Sequence, residues 1–290
     1  MNGIIIVDKP AGWTSHDVVA KLRGAFKVKR VGHGGTLDPM ATGVLPVFIG
    51  RATRAVEFCE NADKEYIAGL QLGIVTDTQD ITGNVLSSCK ASVSIEELLA
   101  ALPRFLGRQQ QIPPMYSAIK HNGKKLYELA RRGIEVQREA REIFVSDIEA
   151  LACEESGFLL RVVCSKGTYI RTICHDIGAA LSCGGAMSSL RRTRAGVFAI
   201  EDAHTLDTIL SAKSTNSIDS IIMPVDTIFA EYPAIKLNDG DTRKCKHGAA
   251  LKIAPQVNGK IRFYAPDGEF LMLGEAEGGL VRAVKGFYEP

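Results

Sequence analysis

The chain has 290 residues, 46% hydrophobic and 23% charged, with a formal net charge of +2. That length exceeds one typical domain of roughly 100–200 residues, so a large and a small domain are expected, and the composition excludes a disordered or fibrous chain. The near-neutral total leaves any nucleic-acid binding to local basic patches. Residues 4–7 form a short apolar run closed by the turn Lys9-Pro10-Ala11-Gly12. It reads as a buried strand, too short for a signal peptide or a membrane span. Thr14 or Ser15 then caps a helix, with Asp17 placed as in a capping box, and Val18, Val19, Leu22 and Phe26 give that helix one apolar face.

A glycine-rich loop over residues 32–43 leads into a strand at 44–49, and a second strand is expected at 66–72. Residues 95–102 read as a short amphipathic helix ended by Pro103, and Pro113-Pro114 excludes a regular helix over 109–117. Asn122-Gly123 marks a turn, followed by a helix at 124–132 stopped by Gly133. Runs 144–153 and 158–164 read as strands paired across 154–157. Ile170, Ile173, Ile177 and Leu181 recur at helical spacing, and short strands are expected at 187–194 and 197–200. The Ser, Thr and Asn of 211–220 suggest a loose connection. From Tyr232 onward, short strands separated by Asn258-Gly259, Pro266-Asp267-Gly268 and Gly278-Gly279 predict a small all-β module.

The seven cysteines (Cys59, Cys89, Cys153, Cys164, Cys174, Cys183 and Cys245) form no C-x-x-C pair and are odd in number. Reduced thiols of a cytoplasmic protein are therefore expected, not disulfides or a zinc site. Three stretches are locally basic: Lys21 to Arg30, Lys120 to Arg132, and Arg191, Arg192 and Arg194. Such runs are more often solvated faces than binding sites.

The most informative stretch is Gly32-His33-Gly34-Gly35-Thr36-Leu37-Asp38-Pro39-Met40-Ala41-Thr42-Gly43-Val44-Leu45. It has neither the Gly-Lys-Ser/Thr of a P-loop nor the spacing of a dinucleotide loop. A single Asp-Pro is usually a turn. Here, though, one carboxylate sits on a glycine-flanked loop five residues after a histidine, which is what a carboxylate nucleophile requires.

This stretch resembles the catalytic motif of the TruB family of tRNA pseudouridine synthases. Further blocks match in order: residues 3–10 with Thr14-Ser15-His16-Asp17; Asp63-Lys64-Glu65-Tyr66; residues 112–118 through Lys124-Lys125-Leu126-Tyr127; Cys164-Ser165-Lys166-Gly167-Thr168-Tyr169-Ile170-Arg171; and Leu190-Arg191-Arg192-Thr193. The resemblance spans Gly3 to about Thr227. One position departs from it: the family usually has Thr directly after the histidine, and Gly34 here supplies no hydroxyl and leaves the loop freer.

The resemblance implies isomerisation of uridine 55 in the T-loop of tRNA, with Asp38 as nucleophile on a flipped-out base. It implies that Tyr66 stacks on that base, that Arg171 is the aspartate's basic partner, that His33 shapes the RNA loop, and that Tyr169 and Leu190 contact substrate. The roles are chemically consistent. An extruded base is held by stacking. A carboxylate can attack C1′ as in retaining glycoside hydrolysis, add to C6, or promote elimination at C2′. An arginine beside it keeps it ionised and orients it by a bidentate contact. Without that ordered set of blocks, each of these residues would read as core, strand or surface.

No cofactor or metal is implied. The partner is tRNA through its T-arm stem-loop, with no membrane, no obligatory protein partner and a monomeric chain. The implied fold is α+β: a mixed, mainly antiparallel sheet with packed helices in a catalytic domain at 1–229, carrying an RNA-gripping insertion at 116–133. A PUA-like RNA-binding module follows at 230–290. Two competing readings are a guide-RNA-dependent relative, which is shorter at the insertion, and an RNA-folding chaperone on the same scaffold.

Overall fold

The computed structural model describes residues 1–154, 157–254 and 256–289. The chain runs β1 (Gly3–Lys9), α1 (Ser15–Phe26), β2 (Val31–His33), β3 (Thr42–Ile49), α2 (Val56–Asn61), β4 (Lys64–Leu72) and a hairpin of β5 (Ile74–Thr76) and β6 (Val85–Ser88). Then come α3 (Ile95–Ala101), β7 (Gly107–Gln111), β8 (Lys120–His121), β9 (Lys124–Lys125), α4 (Leu126–Ala130), β10 (Arg141–Glu154) and β11 (Gly157–Cys164). They are followed by α5 (Ile170–Ala180), β12 (Gly185–Ala195), β13 (Phe198–Ala199) and α6 (Leu206–Ser214). The last part holds β14 (Ala234–Lys236), α7 (Asp239–Lys246), β15 (Leu251–Lys252), β16 (Gly259–Tyr264), β17 (Phe270–Glu277) and β18 (Leu280–Gly286).

The principal sheet is ordered β1-β3-β12-β4-β11-β10-β7, with β2 added to β3 and β13 to β12. Its pairings are antiparallel except β12 on β3. A second, five-stranded sheet is ordered β14-β16-β17-β18-β15. The fold is thus mixed α+β with a mainly antiparallel sheet, as the sequence implied. Among the described residues no helix is long and apolar enough to cross a membrane.

β1 is an unbroken apolar run because both of its faces are covered. Successive strand residues point to opposite faces. Ile5 and Val7 therefore join Val18 and Leu22 of α1 and Ile209 of α6 in one cluster. Ile4 and Ile6 turn the other way, toward Phe48, Phe198, Phe229, Leu273 and Phe287. A third cluster lies under α3 and α5 and runs from Leu37 and Ala41 through Tyr66 to Leu190.

Several local expectations change. The loop at 32–43 shrinks, because Val31–His33 pairs with β3 and β3 itself begins at Thr42. Residues 211–220 are not a loose connection. α6 reaches Ser214, and Ala212 and Ile218 are buried, so tertiary packing overrides the polar composition. β7 supplies an edge strand ahead of Pro113-Pro114. The predicted helix at 124–132 contracts to five residues because Lys124–Lys125 pairs with Lys120–His121 instead. The turn expected at 154–157 includes residues 155 and 156, which lie outside the described residues. The C-terminal sheet also carries a helix, α7, that alternation and turn spacing did not reveal; its N-cap is Asn238.

The C-terminal sheet is seated on the first sheet's layer by a nest of aromatic rings. Phe229 lies 5.0 Å edge-on to Phe58 and 5.9 Å from Phe287, which stacks on Phe270 at 5.2 Å. Polar ties add to it: Arg54 donates to the Gly286 carbonyl at 2.9 Å, Lys285 pairs with Glu57 at 2.6 Å, and the Tyr264 hydroxyl donates to Asp226 at 2.6 Å.

Candidate active site

Asp38 lies on the loop between β2 and β3, and the backbone around it is held from several sides. Thr14 caps α1 in a reciprocal box with Asp17. That leaves the buried Ser15 hydroxyl free to accept from the Leu37 N–H at 2.9 Å and to donate to the Leu37 carbonyl at 3.3 Å. The Pro39 carbonyl accepts from the Gly12 N–H at 2.8 Å and from the Lys9 ammonium at 3.3 Å. Arg192, fully buried, donates to the carbonyls of Val44 at 2.7 Å and Gly35 at 3.1 Å. Gly43, with φ +98°, lies against the Arg192 backbone, where any Cβ would collide.

Gly34 does not loosen the loop, which corrects the expectation from its missing side chain. It is buried, its N–H bonds to the Pro46 carbonyl at 2.9 Å, and a Cβ there would sit 2.6 Å from Cys59 Sγ and 3.0 Å from the Phe48 ring. Cys59 occupies the space a larger residue would need. Burial raises its thiol pKa to about 11, so it serves as packing and not as a nucleophile.

Arg171, in the first turn of α5, is buried and reaches Asp38 with Nη2 to Oδ2 at 3.3 Å. The contact runs through one nitrogen, where a bidentate contact was expected on chemical grounds. The guanidinium is shared: Nη1 faces Asp80 Oδ2 at 3.7 Å, and Nη2 also donates to the Tyr116 carbonyl at 2.8 Å. One cation therefore sits between two carboxylates. Asp80 is itself almost completely buried, and its other oxygen accepts from Thr78 Oγ1 and the Thr82 N–H, both at 2.9 Å. Its neighbour Gln79, held at φ 65°, accepts from Thr172 Oγ1 of α5 at 2.6 Å. That contact ties the carboxylate loop to the arginine's helix.

Burial pushes the Asp38 carboxyl above its ordinary value. The Arg171 charge opposes that shift, and Asp80 adds to it. Burial also lowers Lys9 to about 8, against the pull of Asp38.

Of the sequence-predicted residues, Tyr66, Leu190 and the loop residues Leu37 and Ala41 share one buried cluster beside Asp38. The Tyr169 ring lies 5.6 Å from the Arg171 guanidinium, and its backbone is fixed by Gln111 through bonds of 2.8 and 3.0 Å. Burial raises both tyrosine hydroxyls, so both stay protonated near neutrality. His33 stands apart on β2, edge-on to His16 at 5.3 Å. Burial lowers it to about 4, so it is neutral, and its Nδ1 has no hydrogen-bond partner among the described residues.

Sequence reasoning missed Asp80, Lys9, Ser15 and Arg192. Arg192 had been grouped with surface arginines but is a core residue. Charged residues that terminate or interrupt apolar strands, as Lys9 and Arg192 do, were the available signal. Of the basic stretches, Lys125 and Arg131 gather over the Tyr127 ring at 5.5 and 5.4 Å. In the C-terminal part of the chain, Lys246 pairs with Glu269 at 2.8 Å, and Arg262 is bound to the Tyr232 carbonyl at 2.9 Å.

Residues 23–170 match the model of the TruB family pseudouridylate synthase N-terminal domain, and residues 171–230 match the tRNA pseudouridylate synthase B C-terminal domain. The chain is 42% identical to tRNA pseudouridine synthase B of Azoarcus sp. (strain BH72), covering 97% of this chain and 93% of the relative. It is equally 42% identical to the protein of that name from Syntrophomonas wolfei subsp. wolfei, covering 95% and 94%. Among solved structures, a chain of a Cbf5-Nop10-Gar1 complex superposes with a TM-score of 0.75 at 30% identity, covering 99% of this chain and 85% of the other. Matching models across 23–230 and relatives of this similarity over nearly the whole length show that the chain belongs to the TruB family of pseudouridine synthases, isomerases that convert uridine to pseudouridine in tRNA.

Proposed function

We propose that this chain isomerises uridine 55 in the T-loop of tRNA, with Asp38 as the nucleophile on an extruded uridine. The observation that carries the reading is the half-open Asp38 carboxylate, paired with a buried Arg171, on a loop whose flanking backbone at Leu37 and Pro39 is clamped by Ser15, Lys9 and Gly12. Preorganised charge of this kind acts without rearrangement during the reaction.

The isomerisation conserves every atom. The N1–C1′ bond breaks, a C5–C1′ bond forms, the C5 proton leaves, and N1 takes one up. No electron is gained or lost, so the stoichiometry calls for no redox partner. Asp38 supplies the electron pair that starts the exchange. Arg171 holds that carboxylate ionised against its burial and receives it again as leaving group. Tyr66 and Leu190 form the apolar wall for the uracil ring, and Tyr169, held by Gln111, supports the arginine. Neutral His33, half-buried on β2 and edge-on to His16, is read as shaping the RNA loop around the extruded base.

We propose further that the chain works alone, as a monomer, on the T-arm stem-loop. Residues 116–133 carry their own apolar knot with Met115, Leu126 and Leu129 beneath the Lys125–Tyr127–Arg131 cluster, which suits a grip on RNA. Residues 1–229 are read as the catalytic domain and 230–290 as a PUA-like RNA-binding module. A tRNA-folding action would accompany catalysis, because the surfaces that hold RNA do not depend on Asp38. The test is chemical or mass-spectrometric mapping of pseudouridine in unmodified tRNA after incubation with the pure protein. The reading requires modification at position 55, and pseudouridine appearing only elsewhere would overturn the site assignment.

A further inference from the structure

A cleft of about 560 Å³ opens beside the catalytic loop, between the ends of β1, α1 and α6. Its walls include Asp8, Trp13, Lys21, Thr42, Arg191 and Asp207. Asp38 does not line it, but the cleft shares the supports of the Asp38 loop. Lys9, which also lines it, binds the Trp13 carbonyl at 2.6 Å as well as Pro39. Thr42 follows Ala41, whose N–H bonds to the Asp38 carbonyl at 3.0 Å. Arg191 follows Leu190 on β12, with Nη2 to Asp8 Oδ2 at 2.9 Å and Nη1 to Thr42 Oγ1 at 3.4 Å.

We infer that this cleft receives an unpaired nucleotide of the RNA adjoining the target uridine, its base against Trp13 and its phosphate toward Lys21. The volume falls within the range of roughly 300–1,000 Å³ typical of small-molecule sites. An indole beside cationic side chains is the usual combination for unpaired nucleotides: the ring stacks the base and the cation tracks the backbone. Lys21 is exposed and in no ion pair among the described residues, so it is available to a phosphate. Arg191 is already bound to Asp8, so that pair and Thr42 offer donors and acceptors to a base edge. The carboxylates of Asp8 and Asp207 leave the lining near neutrality. That disfavours a nucleoside di- or triphosphate and favours one phosphodiester with a base. A strand that delivers one nucleotide to Asp38 must carry its neighbours past the loop, and Thr42 at the end of that loop lines this cleft.

The inference rests on the reading that an RNA uridine enters beside Asp38. Trp13 is the chain's single tryptophan, so its emission reports this cleft alone. The experiment titrates full-length Asp38→Asn protein with an unmodified T-arm stem-loop while following indole emission, with binding measured independently by anisotropy of labelled RNA. The same stem-loop is then made with an abasic residue at each position flanking the target. Uridine conversion by wild-type protein on the intact stem-loop is scored separately, so failure of the underlying reading is seen on its own.

The expected result is an emission change that saturates with binding and disappears for one abasic position, with affinity at that position lower by several-fold. Lys21→Ala should weaken binding and lower the salt slope by about 0.7, the value for one single-strand phosphate contact. Emission unchanged at saturating stem-loop, or changed equally by every abasic RNA, would overturn the inference. A response to free uridine or adenosine monophosphate, with none to the bound stem-loop, would overturn it in favour of a free nucleotide.

Discussion

Arg171→Lys is the most informative single change. It keeps the positive charge and removes the planar fork that spans Asp38 at 3.3 Å, Asp80 at 3.7 Å and the Tyr116 carbonyl at 2.8 Å. One ammonium cannot occupy the positions of two nitrogens directed at separate carboxylates. The arginine is almost fully buried, so its lost hydrogen bond to Tyr116 is not replaced by water, and a bond from a charged donor is worth about 1.5–3 kcal/mol. The Asp38 contact is discounted, because that carboxylate is partly open to solvent. A loss of about 2–3 kcal/mol in the transition state follows, or roughly 30- to 150-fold in rate. The assay is the single-turnover rate of uridine conversion at saturating enzyme, with RNA affinity measured in parallel. The account expects the loss in rate and little change in affinity. A variant within about threefold of wild type would refute the claim that Arg171 organises the two carboxylates.

The pH dependence follows from Asp38, whose pKa burial raises in the folded protein. The folded state therefore holds the proton more tightly than the unfolded chain. Stability falls as pH rises from the ordinary carboxylate value through the raised one, and is level on either side. Activity moves oppositely, lost as pH falls through the raised pKa, and Arg171→Lys should move that acidic limb to higher pH; a limb at the ordinary aspartate value in both proteins would contradict this. Gly34→Thr should cost about 1–3 kcal/mol of stability by overpacking, since its Cβ meets Cys59 Sγ at 2.6 Å, and Cys59→Ala should recover part of the loss; thermal melts of the four proteins decide it. Removing residues after Phe229 should lower the melting temperature of the remainder, because Phe229 loses Phe270 and Phe287, each such side chain contributing about 1.5–3 kcal/mol when buried; an unchanged melt would show the two sheets to be energetically independent.

The elements read most readily from sequence were those whose pattern is local. Weak alternation placed β4, two runs flanking a turn placed β10 and β11, and the spacing of Ile170, Ile173 and Ile177 placed α5 and therefore Arg171. Asp38 and the residues around it were recognised through ordered motif blocks, since an Asp-Pro on a glycine-rich loop reads by itself as a turn. What stayed hidden depends on contacts distant in sequence. Asp80 looks like one more polar residue in a turn until the fold sets it against Arg171, which is 91 positions later. Ser15 reads as a possible cap until Thr14 takes that role and frees its hydroxyl for Leu37. Polar composition at 211–220 concealed α6, because its helical state depends on packing against α1 and β1. Arg192 differs from Arg191 only by facing the opposite side of β12, and alternation decides which of the two is buried.

The most direct test of the central claim is the rate of pseudouridine formation by Asp38→Asn, prepared free of wild-type enzyme, on an unmodified T-arm stem-loop. The amide keeps the shape of the carboxylate and lacks its nucleophilicity. The stem-loop should bind with near wild-type affinity while conversion falls to background. Appreciable turnover by that protein would contradict the assignment of Asp38 as nucleophile.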